Sequence, residues 1–149
     1  MIRSLFKKAS YFICEKYIIF RLGSMVLNLV NIPQSSNLRD IAIIKIIKAV
    51  DSVVDQHPIL ALKTLNDLIK STNTKHIQQQ IIDRIINCSN SVYESSPELA
   101  IYSLEKAIEV SDDNYRNIAS TKMRCLTESA LTKKGVENYK TQLPNNHKL

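Results

Sequence analysis

Pro58-Ile59-Leu60-Ala61-Leu62-Lys63-Thr64-Leu65-Asn66-Asp67-Leu68-Ile69 and Pro97-Glu98-Leu99-Ala100-Ile101-Tyr102-Ser103-Leu104-Glu105-Lys106-Ala107-Ile108 follow one pattern, offset by 39 residues. Each opens on proline, which a helix accepts in its first turn because the missing N–H would have no partner there and the fixed φ is already helical. Each then sets apolar residues at three- and four-residue steps: Leu60, Ala61, Leu65, Leu68 and Ile69 in one, Leu99, Ala100, Leu104, Ala107 and Ile108 in the other. That spacing makes one oily face of an α-helix rather than the alternating faces of a strand.

The match extends outward. Upstream, Ile47 pairs with Ile86, Ser52 with Ser91 and Val53 with Val92. Downstream, the polar turn Ser71-Thr72-Asn73-Thr74 corresponds to Ser111-Asp112-Asp113-Asn114. The offset then grows to 41, pairing Ile77 with Ile118, Ile82 with Met123 and Ile85 with Leu126. Two helical hairpins are predicted, over 58–91 and 97–131. Ser95 or Ser96 is placed to cap the helix at Pro97, and Asp112 or Asp113 the helix near Tyr115.

Repeated helix pairs of about 40 residues are a solenoid signature. The chain resembles HEAT-type repeats over roughly residues 38–132; the proline near the start of the first helix and the segment Asp113-Asn114-Tyr115-Arg116 carry the resemblance. The tetratricopeptide pattern is absent, since neither unit contains Gly or Trp. The resemblance implies an all-α fold of stacked antiparallel helix hairpins, an α-solenoid whose second helices line a concave surface. Arg84, Arg116, Lys122 and Arg124 would then contact a partner there. An irregular helical bundle with two similar hairpins is the other all-α reading.

Before the hairpins, Asn31–Asn37 contains Pro33 and a Gln-Ser-Ser-Asn cluster and reads as a loop. Asn37 is placed to cap a helix over 38–56, with Asp40 in its first turn where the helix dipole favours an acid. Residues 2–30 read as a first helix. Arg3, Lys7, Ser10, Cys14, Tyr17, Arg21, Ser24 and Asn28 form a narrow polar stripe on it, and the rest of its circumference is apolar. Such a helix has to bury most of its surface, in the core, on lipid headgroups, on a partner protein or on a second copy of itself. Arg3, Phe6, Lys7, Lys8 and Lys16 are the residues placed for membrane or partner contact. Residues 1–131 are expected to form a single helical domain, and the basic segment 132–149, with few apolar anchors, a frayed or disordered tail.

The 149 residues include only two glycines and four prolines, and no Asn-Gly, Asp-Gly or Gly-Gly pair, which disfavours β architecture. The net charge is +6. It is concentrated at the two ends rather than in a stripe along the body, so nucleic-acid binding is the weaker expectation. Abundant Ile, Lys and Asn fit an AT-rich genome. Cys14, Cys88 and Cys125 are odd in number and far apart, lie in apolar patterns, and are expected to be buried thiols in a reducing compartment. Residues 1–21 lack the long uninterrupted apolar run of a signal peptide. A cytoplasmic protein is expected, with membrane association through residues 2–30 as the alternative.

No chemistry-bearing constellation emerges. His57, His76 and His147 stand apart from one another and from every cysteine, so no metal site is expected. No phosphate-binding glycine loop is present, and no cofactor site is expected. Asp51 with Asp55 and Glu105 with Glu109 are spaced i, i+4, as on a solvated helix face. No catalytic residue, small-molecule substrate or cofactor is inferred. The expected function is that of a non-enzymatic module that binds a protein partner. Attachment to an anionic membrane surface is the alternative.

Overall fold

The computed structural model describes residues 16–142, and side chains as far as residue 134. Helix α1 covers residues 16–28 and runs into a 3-10 turn, Leu29–Asn31. It is followed by α2 (Asn37–Asp51), α3 (Pro58–Ile69), α4 (Lys75–Tyr93), α5 (Pro97–Val110) and α6 (Asp113–Gln142). The described residues contain no strand, and the fold is all-α.

Local chemistry sets the helix ends. Ser36, not Asn37, caps α2: its Oγ accepts from the Leu38 N–H at 3.2 Å, and Asn37 is already helical. α2 stops at Asp51 rather than running to residue 56. The β-branched pair Val53-Val54 follows, and Pro58 bars His57 from helical geometry; His57 sits at φ −133°, ψ 60°. The two proline-led entries carry the same backbone bonds. The N–H groups of Gln56 and His57 donate to Val53 O, and those of Ser95 and Ser96 to Val92 O. Ala61 N–H donates to His57 O, as Ala100 N–H does to Ser96 O. Ser96 holds the cap position of α5 without a side-chain cap, and the Ser95 hydroxyl donates back to Val92 O instead. Asp112 caps α6, its Oδ1 accepting from Tyr115 N–H at 3.1 Å. α6 continues to Gln142, past Leu131, where the loss of apolar anchors predicts fraying.

Each of α2 to α6 packs only against helices one or two steps away in the chain: α2 on α3 and α4, α3 on α4 and α5, α4 on α5 and α6, and α5 on α6. Cys88, late in α4, donates its thiol to Pro58 O at the start of α3, so these two helices run antiparallel. Asp40 near the start of α2 accepts from Thr72 and Thr74 just before α4, so α2 and α4 run parallel.

The core is aliphatic and densest in the middle of the chain. Its largest fully buried side chains are Ile43, Ile46 and Ile47 of α2, Leu62, Leu65, Leu68 and Ile69 of α3, Ile77, Ile81, Ile82 and Ile85 of α4, and Leu104 of α5. Burial of one such side chain is worth roughly 1.5–3 kcal/mol. Toward α6 the buried residues shrink to Ala100, Ser103, Ala107 and Ala119. Ile118, expected on the covered face of α6, is exposed, and Met123 and Leu126 are half-buried. Among α2 to α6, α4 is flanked by four helices and α6 by two, and the outer side of α6 carries exposed residues.

Candidate functional site

Helix α1 has two apolar faces. Ile18, Leu22, Met25 and Leu29, spaced four, three and four, turn toward the core, where Leu22 and Leu29 are fully packed. On the opposite side Ile19, Phe20, Leu27 and Val30 face outward, exposed by 47%, 75%, 70% and 79%. On α1 Ile19, Phe20 and Leu27 span an arc of about 100° around the helix axis, with the exposed Gly23 near its centre and Lys16 also within it, and Val30 follows in the 3-10 turn. Over its described part this helix therefore buries one stripe within the chain and leaves the other exposed. The core needs one stripe of α1, and a second oily stripe is left over.

The α1 arc is held rigidly. Arg39 of α2 is buried, and its guanidinium donates to the carbonyls of Leu29 (2.7 Å), Ile32 (2.5 Å) and Ser71 (2.6 Å). It thus ties the exit of α1 to the α3–α4 turn. Its neighbour Asp40 accepts from the hydroxyls of Thr72 and Thr74 of the same turn. A charged hydrogen bond contributes about 1.5–3 kcal/mol, so this clasp fixes the end of α1 firmly.

Two grooves flank α1. One runs between α1 and α2, lined by Tyr17, Arg21 and Met25 opposite Lys45, Ala49 and Ser52. The other lies below the arc, lined by Leu27 and Val30 with Lys63, Lys70, Leu99 and Tyr102. On its far wall Asn66 of α3 donates to Ser103 Oγ of α5 at 2.8 Å, while its own Oδ1 is buried without a partner. Lys106 sits 5.6 Å from the ring centre of Tyr102 and 2.8 Å from Glu109. That hydrogen bond holds the Lys106 pKa above its usual value and the Glu109 pKa below its own.

The other singled-out residues are scattered. Arg3, Phe6, Lys7 and Lys8 lie outside the described residues, as do Cys14 and His147; Lys16 is the first described residue of α1 and is exposed. Arg84 of α4 grips Asp51 of α2 through two 2.7 Å bonds. Its pKa is raised, chiefly by that hydrogen bond. Arg116 bridges to Asp113 and Arg124 to Glu128. Lys122 lies about 120° around α6 from Arg116 and about 160° from Arg124, so the three form no common stripe. Cys88 is buried, which pushes its thiol up to about 11. Cys125, expected to be buried, is exposed on the uncovered side of α6. His57 is half-buried and His76 exposed. No group of three or more potential metal ligands occurs among the described residues, and no helix among them is long and apolar enough to cross a membrane.

Two features of the site escaped the sequence reading. Arg39 falls on the stripe Arg39, Ile43, Ile46, Val50, so the buried face of α2 itself signals that the arginine goes inside. Gly23 is the one glycine within residues 2–30, and its isolation in an apolar helix is a signal that was present. Compared with protein-family models, curated proteins and solved structures, the chain matches none.

Proposed function

We propose that the chain is a non-enzymatic helical-repeat protein, an α-solenoid similar in plan to HEAT-type stacks, that works as a protein–protein interaction module through the outer face of α1. The repeat reading is supported by contacts among α2 to α6 that run between helices one or two steps apart, as in quasi-one-dimensional stacks, and by the identical hydrogen bonds of the two proline-led entries 39 residues apart. The docking reading is carried by one observation: the contiguous exposed arc Ile19, Phe20, Leu27 and Val30 on a helix clasped by Arg39. A contiguous oily patch on an anchored element marks an interaction site, whereas single exposed apolar residues are ordinary.

The experiment is a photo-cross-linking amino acid at Phe20, compared with the same probe at Thr121 on α6, in the native cell. Protein adducts from position 20 and none from 121 are expected. Equal yields from both positions, or none from either, defeat the docking role. An anionic membrane surface is the competing occupant, favoured by Lys16 and Arg21 beside Tyr17 and Phe20. Nucleic acid is disfavoured, because Arg84, Arg116 and Arg124 already hold carboxylates.

A further inference from the structure

We infer, resting on the docking role proposed above, that the partner of the α1 face is a second copy of this chain, seated in a two-fold antiparallel crossing of α1 on α1 at Gly23. Glycine inside a helix is unfavourable relative to alanine, so its presence calls for a reason. The described residues supply none internally. A Cβ built on Gly23 meets nothing within 4 Å, and its φ is not positive. Among the described residues, neither packing nor backbone geometry uses the missing side chain. What it creates is a notch in the middle of an exposed oily arc, where the backbone of another helix can approach closely. A lipid surface has no use for such a notch; a crossing helix does.

The register then favours self-pairing. In an antiparallel two-fold crossing centred on Gly23, a residue n places after the glycine meets the residue n places before it in the other copy. Leu27 meets the partner's Ile19, and Ile19 the partner's Leu27, four places on either side. Phe20 falls opposite the partner's Val26, three places on either side, a residue half-buried against its own core. At seven places, Val30 meets the partner's Lys16, whose aliphatic stem can cover it while the ammonium stays at the rim. Each apolar residue of the arc is thus matched by an apolar residue or an apolar stem. A parallel crossing would set Lys16 against the partner's Lys16, which repels. One helix face with its flanks is at or below the ~800 Å² per partner of a standard interface, so the dimer is expected to be weak, with a dissociation constant on the order of micromolar.

Sedimentation equilibrium of the full-length chain tests this. The mass should rise from 17.0 kDa toward twice that value as concentration passes through the micromolar range. Phe20→Asp and Leu27→Asp should each weaken association at least tenfold while leaving the helical signal and melting curve of the dilute protein unchanged. In a Cys14→Ser, Cys125→Ser background, Gly23→Cys should oxidise to a covalent dimer. A mixture of Ile19→Cys and Leu27→Cys chains should cross-link to each other more efficiently than either does alone. A monomer at every concentration overturns the inference, as does a dimer indifferent to Phe20→Asp and Leu27→Asp, or a Gly23→Cys chain that stays uncoupled. If that monomer still gives protein adducts from position 20, self-pairing is wrong and the docking role stands. If it instead floats with phosphatidylserine–phosphatidylcholine vesicles in a Phe20-dependent way, both fail and the face belongs to lipid.

Discussion

At the α6 edge of the molecule the uncovered side carries Asn117, Thr121, Arg124 and Glu128, with Ile118, Cys125 and Leu131 as the apolar exceptions. At the α1 edge the uncovered side carries Ile19, Phe20, Leu27 and Val30, with Lys16 as the one charge among them. Both helices are outermost among the described elements, so both face the same physical demand. An end helix has water on one side, and a polar outer face keeps it soluble. α6 meets that demand and α1 does not. The core cannot explain the difference, because α1 already places Ile18, Leu22, Met25 and Leu29 against it. The oily arc is surplus to folding, and a surplus of that kind points outward.

The largest expected effect separates the interior from the α6 edge. Ile77 of α4 and Ile118 of α6 align in the sequence, yet Ile77 is fully buried and Ile118 is 46% exposed. Ile77→Ala should destabilise the protein by about 3 kcal/mol, through lost burial and the cavity left behind. Ile118→Ala should change stability by under about 1 kcal/mol, as at other surface positions. Urea denaturation of both variants decides the matter. Similar losses would mean that α6 is covered as α4 is, and the contrast between interior and edge would collapse.

The next effect lies at the α1 edge. Arg39→Ala leaves the carbonyls of Leu29, Ile32 and Ser71 without their donor. A loss of about 2–3 kcal/mol is expected from the broken charged hydrogen bonds. Hydrogen exchange should localise the damage, with protection falling in residues 16–28 and around the α3–α4 turn while α5 and α6 keep theirs. Uniform loss of protection would mean that Arg39 supports the whole core and is no clasp for α1.

How much of this was legible beforehand depended on distance along the chain. The faces of α3 and α5 were readable because proline entry and 3.6-residue periodicity are local properties of residues 58–69 and 97–108. The cap of α6 was readable as Asp112 or Asp113 for the same reason, and the fold selects Asp112. The exposure of Cys125 and Ile118 was not, because periodicity shows which side of a helix is oily but not whether another helix arrives to cover it. Arg39 was hidden by a habit of assigning charge to the surface. Its carbonyl partners lie at residues 29, 32 and 71, and only the folded chain brings them together. Helix α1 shows both sides of the matter. Its broad apolar surface was plain in the sequence, but its division into a core stripe and an outward arc required the position of α2.

The smallest expected effect probes that division directly. Gly23→Ala adds a methyl group on the outward arc, where it has open space. Measured in the dilute monomer, the substitution should stabilise the protein by roughly 0.5–1 kcal/mol, because alanine restricts the unfolded chain and favours the helix. The sign carries the meaning. A loss of stability would show that the glycine serves a close approach within the monomer and that the α1 edge is already covered from inside. A gain in the monomer, together with weaker association at high concentration, would place the need for the glycine outside the single chain. That pairing of opposite signs is what an edge built for a partner predicts.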